Sequence, residues 1–207
     1  MIEAKSAVHS LLGDRLRVGF IAIASRRYGG ETALKTVEFA EKWKKHVIGF
    51  DLADTEDIMP PEDFVPAIHR AKDLGLGITV HSGEGTSAAH IERVINLYKP
   101  HRLGHATVLI NNPSLMAKVR QLDICVEACP SSNIITRCVP SHKEHPLMTY
   151  FRAGVPVTIN TDDPMLFDTD LRREWLHVME HHGASPSDMI AMNEIAHKHS
   201  FIKEDYD

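Results

Sequence analysis

Apolar residues along this chain gather into six short runs rich in Val and Ile: LRVGFIAIAS (16–25), HVIGFDLA (46–53), LGITVHSGE (76–84), HRLGHATV (101–108), DICVEACP (123–130) and VPVTINTDDP (155–164). Each run is continuous rather than alternating, the pattern of parallel strands buried on both faces. Helical patterns lie between them. Residues 60–77 (PPEDFVPAIHRAKDLGLG) open on prolines and acids, place Phe64, Val65, Ile68 and Ala71 near helical spacing and close on glycine, which are start and stop signals of a helix. Residues 86–101 (TSAAHIERVINLYKPH) and 112–122 (NPSLMAKVRQL) read the same way.

Equivalent strand-end positions, Ser25, Asp51, His81, His105, Cys129 and Asp162, are separated by 26, 30, 24, 24 and 33 residues. That period is the length of a βα unit, so an α/β fold with a parallel sheet is expected. A doubly wound open sheet and a (β/α)8 barrel both fit. No glycine-rich phosphate fingerprint follows a strand, which weakens the dinucleotide-binding form of the first. Ionisable side chains stand at four of these strand ends, Asp51, His81 with Glu84, His105, and Asp162 with Asp163, and a barrel would bring them around one mouth. The expected fold is therefore a (β/α)8 TIM-type barrel, incomplete, with about six of eight βα units present and the first two strands missing. Residues 1–14, with Ala4, Val8, Leu11 and Leu12 on one face, read as the tail of a helix ahead of the first visible strand. An open barrel of this kind would expose two apolar strand edges. Residues 1–207 are expected to form a single domain.

Composition narrows the picture. With 43% hydrophobic and 25% charged residues the chain has the make-up of a soluble globular protein. A net charge of −5 without a concentrated Lys/Arg tract gives no footprint for nucleic acid. No apolar stretch approaches the roughly 20 residues of a membrane span, and no signal-peptide pattern opens the chain, so a cytoplasmic protein is expected. Three cysteines, an odd number, suggest reduced thiols, with Cys125 and Cys129 as small core residues.

The candidate chemistry sits at the strand ends. A neutral His81 there is a suitable zinc ligand, and Glu84 in the adjoining turn can carry a proton without binding metal. Taken alone, HSGE is also compatible with a loop histidine and a helix-capping glutamate. His105, beside Gly104, reads equally as a site residue or as a core histidine satisfied by backbone. Asp162 and Asp163 are adjacent carboxylates whose repulsion a cation would relieve, or an Asx turn and helix cap ahead of Pro164. Their joint occurrence in one order at equivalent strand ends favours the functional alternative.

That order and wording resemble the adenosine deaminase family of zinc-dependent, amidohydrolase-like barrels. The matching segments are GFDLAD (49–54), HSGE (81–84), RLGHA (102–106), EACPSSN (127–133), EHPLMTYFRAGVPVTINTDDP (144–164) and TDLRREW (169–175). The resemblance implies that His81 and Asp162 bind zinc, that Glu84 protonates the purine ring nitrogen beside the attacked carbon, and that His105 takes a proton from zinc-activated water. It also implies that Asp163 meets the imidazole side of the purine and that the loop at Ala53 and Asp54 contacts its other edge through backbone. The implied reaction converts adenosine and water to inosine and ammonia. Adenine or an adenine-bearing futalosine nucleoside is an alternative substrate, and an inactive purine-binding or interaction remnant is an alternative of another class. The implied partner is a small-molecule purine nucleoside, with no nucleic acid, membrane or obligate protein partner.

Three features depart from the family pattern. The family's H-x-H zinc ligands on the first barrel strand are missing, and the H-x-H here, His197 and His199, lies in a helical pattern where residues two apart point about 200° apart. That pair is expected to be exposed. Asp54 stands where glycine is usual, so its side chain could crowd a substrate, and Ser82 stands where alanine is common.

Overall fold

The computed structural model describes residues 2–202, and each of the six runs contains a strand. These are β1 (Phe20–Ser25), β2 (Val47–Ala53), β3 (Gly77–Ser82), β4 (Arg102–His105), β5 (Cys125–Ala128) and β6 (Val157–Ile159). They form one sheet in the order β1-β2-β3-β4-β5-β6, and every neighbouring pair is parallel. Helices occupy the connections: α1 (Ile2–Leu12) precedes the sheet, and α2 (Gly29–Lys42), α3 (Val65–Asp73), α4 (Ala88–Tyr98), α5 (Pro113–Gln121), α6 (Pro130–Ile135) and α7 (Leu147–Arg152) link the strands. Then α8 (Leu171–His182) and α9 (Pro186–Lys198) close the described chain. Six βα units in sequence order, with each strand bonded only to its sequence neighbours, make an incomplete (β/α)8 barrel. Among the described residues no helix is long and apolar enough to cross a membrane.

The strands are two-sided. On the helix-facing side Phe50, Leu52, Ile78, Val80, Leu103, Val126 and Val157 are buried. They join the apolar stripes of the helices, including Val37 of α2, Ile68 of α3, Ile91 and Val94 of α4, and Val119 of α5, in one core cluster. Burying an aliphatic side chain of this size contributes roughly 1.5–3 kcal/mol. The other face carries Asp51, Thr79, His81, Arg102 and Glu127, so the strand runs are apolar outward and ionisable inward. That face is organised from the floor up. At the N-terminal end of the sheet the Phe201 ring lies where side chains on Gly49 and Gly77 would stand, 2.8 and 2.2 Å from the positions of their missing Cβ atoms. The Arg102 guanidinium covers that ring at 3.5 Å and is paired with Glu127 at 3.0 Å, and Glu127 also accepts from Thr79 Oγ1.

The two open edges differ. Ile23 of β1 is 61% exposed, as expected for an apolar edge strand, whereas Val157, Thr158 and Ile159 of β6 are all buried, with α9 packed against them. The expectation of two exposed apolar edges thus holds only for β1, because the chain folds back over the other. A cavity of about 380 Å³ lies beside β1, lined by Ile2, Phe20, Ile21, Phe39 and Trp43 among others. Helix α1 forms as read, but none of its residues is buried. His197 is exposed, but the His199 side chain is only 10% exposed and lies 3.6 Å from Asp123, so that pair is not exposed as a unit.

Tyr150 of α7 ties a helix to the end of β4. Its buried hydroxyl lies 2.9 Å from the carbonyls of Ala106 and Thr107 and accepts from the Ile110 amide at 2.9 Å. Ala106 itself has φ +48°, outside the region non-glycine residues prefer. Tyr150→Phe should cost roughly 1–3 kcal/mol, because it leaves buried backbone groups without their partner while keeping the ring; equilibrium urea unfolding measures it, and an unchanged midpoint would contradict this role.

Candidate active site

At the C-terminal end of the sheet β3 delivers His81, β4 delivers His105, and the turn after β6 delivers Asp162. Close approach is built into β4: a Cβ on Gly104 would fall 3.2–3.3 Å from the His81 ring and backbone, so the glycine makes the room that His81 occupies. The two imidazoles then meet edge to face with centroids 4.8 Å apart. Asp51, buried on β2, lies 3.1–3.2 Å from His81 Nδ1. That contact places a proton on Nδ1 and turns the Nε2 side of the ring toward the mouth, the carboxylate–histidine arrangement that orients metal-binding imidazoles. Burial opposes charge on His81, but the carboxylates of Asp51, Glu127 and Asp162 outweigh it and push the ring's pKa up to about 9. The site thus carries more negative charge than its own cations balance.

His105 is held by a chain of hydrogen bonds that fixes which nitrogen bears the proton. The Leu147 amide donates to His145 Nδ1 at 3.2 Å, so neutral His145 carries its proton on Nε2 and gives it to Asn133 Oδ1 at 3.0 Å. Burial drops the His145 pKa to about 3, which keeps that ring neutral. With its oxygen so engaged, Asn133 presents Nδ2 to His105 Nδ1 at 3.0 Å and to Glu84 Oε1 at 3.3 Å. Nδ1 of His105 is therefore an acceptor, and the neutral ring carries its proton on Nε2, facing Glu84 Oε2 at 3.7 Å and Asp162 Oδ2 at 3.9 Å. Burial, followed by the neighbouring His81, lowers the His105 pKa. Thr136 Oγ1 also donates to Glu84 at 3.0 Å, and Ser132 Oγ donates to Asp162 Oδ2 at 2.7 Å.

His81, Glu84, His105 and Asp162 are thus brought together. One potential ligand group among the described residues differs from the expected pair: donor atoms of His105, Cys129 and Asp162 lie within 4.8 Å of one another, while the His81 ring meets the His105 ring edge to face. Cys129 is buried, as expected of a core cysteine, but it belongs to the site. Burial first, then Asp162 and Glu127, raises its thiol well above the usual range, so it stays protonated in the metal-free protein. Asp163 is exposed in the following turn, where its carbonyl accepts from the Leu166 and Phe167 amides. At Asp54, φ is +77°, which accounts for glycine being usual there. Its carboxylate turns to Ser25 Oγ (2.7 Å), the Thr55 amide (2.6 Å) and Arg27, and its carbonyl accepts from Arg26 at 3.3 Å. Ala53 ends β2 directly before it.

Residues the sequence did not single out hold this arrangement. Buried Arg26 donates to the His81 carbonyl at 2.7 Å and to the Asp54 carbonyl at 3.3 Å, binding the ends of β2 and β3 together. Buried Glu56 accepts from the amides of Gly83 (2.6 Å) and Glu84 (2.8 Å) and from Thr86 Oγ1, with His90 at 3.5 Å, and so shapes the turn that carries Glu84. Contacts spanning 27 to 55 residues leave no local periodicity to read. Asn133 belongs to the EACPSSN segment, and tertiary structure alone sets it between two buried histidines, His105 and His145.

The adenosine deaminase family model matches residues 3–207. The chain belongs to the adenosine deaminase family. The adenine deaminase of Rhizobium etli is 33% identical over 204 residues, which cover 98% of this chain and 61% of that protein. The adenosine deaminase of Shewanella loihica is 32% identical over 189 residues, covering 91% of this chain and 57% of that protein. The solved structure of the N6-methyl-AMP deaminase from Arabidopsis thaliana superposes with a TM-score of 0.83 at 31% identity, over 90% of this chain and 55% of that one. The chain therefore spans about three fifths of the length of these family members.

Glu56 makes the site's dependence on its supports measurable. Burial alone would raise its pKa, but hydrogen bonds from His90, Thr86 and the Gly83 and Glu84 amides hold it at about 2 against 4.5 for a free glutamate. The resulting stabilisation, on the order of 3 kcal/mol, is complete above pH 4.5 and disappears as pH falls through 2. Glu56→Gln should lose most of it at neutral pH and flatten the acid limb of stability between pH 4.5 and 2; parallel pH-dependent unfolding curves for the two proteins would contradict this.

Proposed function

We propose that these residues form the greater part of a zinc-dependent hydrolytic centre that deaminates a 6-aminopurine, converting it and water to the 6-oxopurine and ammonia. The observation that carries this reading is the joining of Glu84 to His105 through Asn133, opposite Asp162 and beside an Asp51-oriented His81. Adenine is the favoured substrate, supported by the Rhizobium etli relative. Adenosine is the second reading, supported by the family resemblance and by the Shewanella loihica relative.

The residues present fit a zinc ion in chemistry. His81 offers Nε2 with Nδ1 engaged by Asp51, Asp162 keeps one oxygen beyond the one bonded to Ser132, and the local excess of negative charge favours a cation. When bound, zinc supplies a Lewis acid that brings the pKa of water toward neutrality. The remaining chemistry falls to the protein. Glu84, bonded by Asn133 and Thr136, would give a proton to the ring nitrogen beside the attacked carbon. The resemblance assigns His105 as the base, but its hydrogen bonds favour another division: the ring donates from Nε2 to the attacking oxygen, and the Asp162 carboxylate accepts the proton. Asp163, on the open side of the turn, would bond the far edge of the purine.

Two metal ligands are fewer than the three protein ligands usual in a catalytic zinc site, and this chain has no H-x-H pair besides His197 and His199. The purified 207-residue protein should therefore hold little zinc at His81 and Asp162 and release ammonia from adenine or adenosine slowly or not at all. A longer protein of this sequence carrying an H-x-H strand ahead of it should be fully active. Efficient turnover by the 207 residues alone would overturn the ligand assignment, and failure of the longer zinc-loaded protein on every 6-aminopurine tested would overturn the reaction.

In that active form Asp162→Asn should abolish zinc retention and cut kcat at least roughly 1,000-fold, in the range for loss of a group acting on the transition state. Asp163→Asn should keep its zinc and act mainly on KM and transition-state fit. Equal zinc loss in both variants, measured by elemental analysis, would contradict the division.

A further inference from the structure

Away from this mouth, on the outer helical layer, a second group of imidazoles has no part in the proposed chemistry. His177 and His181 stand one turn apart on α8 with rings 5.8 Å apart and nearly parallel. The donor atoms of His177, Glu180 and His181 lie within 4.8 Å of one another. His142, from the loop before α7, stacks on His177 at 4.1 Å and lies parallel to His181 at 5.2 Å. The Nδ1 atoms of His142 and His177 are buried without a hydrogen-bond partner. A buried polar atom without a partner is unfavourable, and a bound cation near these rings is one way to relieve it.

We propose that His177, Glu180 and His181 form a second metal site, for a borderline divalent cation such as Zn²⁺ or Ni²⁺, with His142 bracing the two ligand rings. The donor chemistry selects the cation: two imidazoles and one carboxylate suit Zn²⁺, Ni²⁺ or Cu²⁺, whereas Mg²⁺ and Ca²⁺ want oxygen. The spacing is that of a helical clip, since residues four apart share one helix face. Glu180 and His181 are exposed, so the site opens to solvent and its metal exchanges. The stack of His142 on His177 joins α8 to the segment ending at His145, whose ring holds Asn133.

This site is independent of the catalytic reading, and its test uses the 207-residue protein. Metal-stripped protein is titrated with Ni²⁺ and, separately, Zn²⁺ by calorimetry, and its melting temperature is followed. One equivalent should bind, with a rise of about 5–10 °C at a hundredfold excess over Kd. His181→Ala, a change at an exposed position, should keep the metal-free melting temperature, lower affinity at least tenfold and abolish the rise, and His177→Ala should match it in affinity. Asp162→Asn should bind that equivalent unchanged. Wild-type affinity in both histidine variants, absence of a stoichiometric equivalent, or loss of it in Asp162→Asn would overturn the proposal.

Discussion

Asp51 and His81 face each other across two neighbouring parallel strands, and the interior depends on that contact. A carboxylate removed from water is strongly unfavourable unless a partner compensates it, and Asp51 is buried on the inner face of β2. The imidazole that compensates it stands on the next strand only because Gly104, one strand further, leaves the space. Removing one member of such a pair costs about 3–5 kcal/mol, so the same contact stabilises the sheet and sets the direction of the ring that faces the mouth. Below it, Arg102 and Glu127 solve the same problem with a salt bridge, and Phe201 closes the floor under the guanidinium.

Most of the fold was legible because the outward-facing strand residues and the helix punctuation are local signals. The runs ending at Ser25, Asp51, His81, His105, Cys129 and Asp162 each yielded a strand, and the 24–33-residue period gave the parallel order. The strand pattern was less simple than continuous burial: the inner positions Asp51, Thr79, Arg102 and Glu127 were absorbed into apolar runs, although they face a polar interior. Of the candidate site, His81, Glu84, His105 and Asp162 were legible from their place at strand ends. Glu56, Arg26 and His145 were not, because each acts through backbone or side chains 12 to 55 residues away, and no spacing rule encodes that. Cys129 was misread only in part, since burial and membership of the site coincide.

The two edges of the sheet illustrate how tertiary structure overrides a local expectation. Both β1 and β6 pair on one side only, and a pattern reading treats them alike. The chain after β6 folds back as α9 and covers Val157 and Ile159, while none of the residues of α1, before β1, is buried and Ile23, beside Asp51 on the inner face, stays exposed. An edge with an exposed apolar side chain is a template for further pairing, so β1 is the side on which the sheet remains open to extension.

Four of the eight non-glycine residues with positive φ among the described residues lie at the candidate site. Asp54, His105, Ala106 and Asp162 all have positive φ, between +48° and +77°, at or just beyond strand ends. Each such non-glycine residue costs on the order of 1–3 kcal/mol and persists only where its surroundings over-determine it. Here the determinants are visible: Arg26 and Ser25 grip Asp54, Asn133 grips His105, Tyr150 grips the Ala106 carbonyl, and Ser132 grips the Asp162 carboxylate. The strained residues and their restraints come from different elements, so the side chains at the mouth are positioned by the assembled fold rather than by any one loop. Such positioning is what electrostatic catalysis requires, because dipoles already aimed at the reacting centre need not reorganise during the reaction.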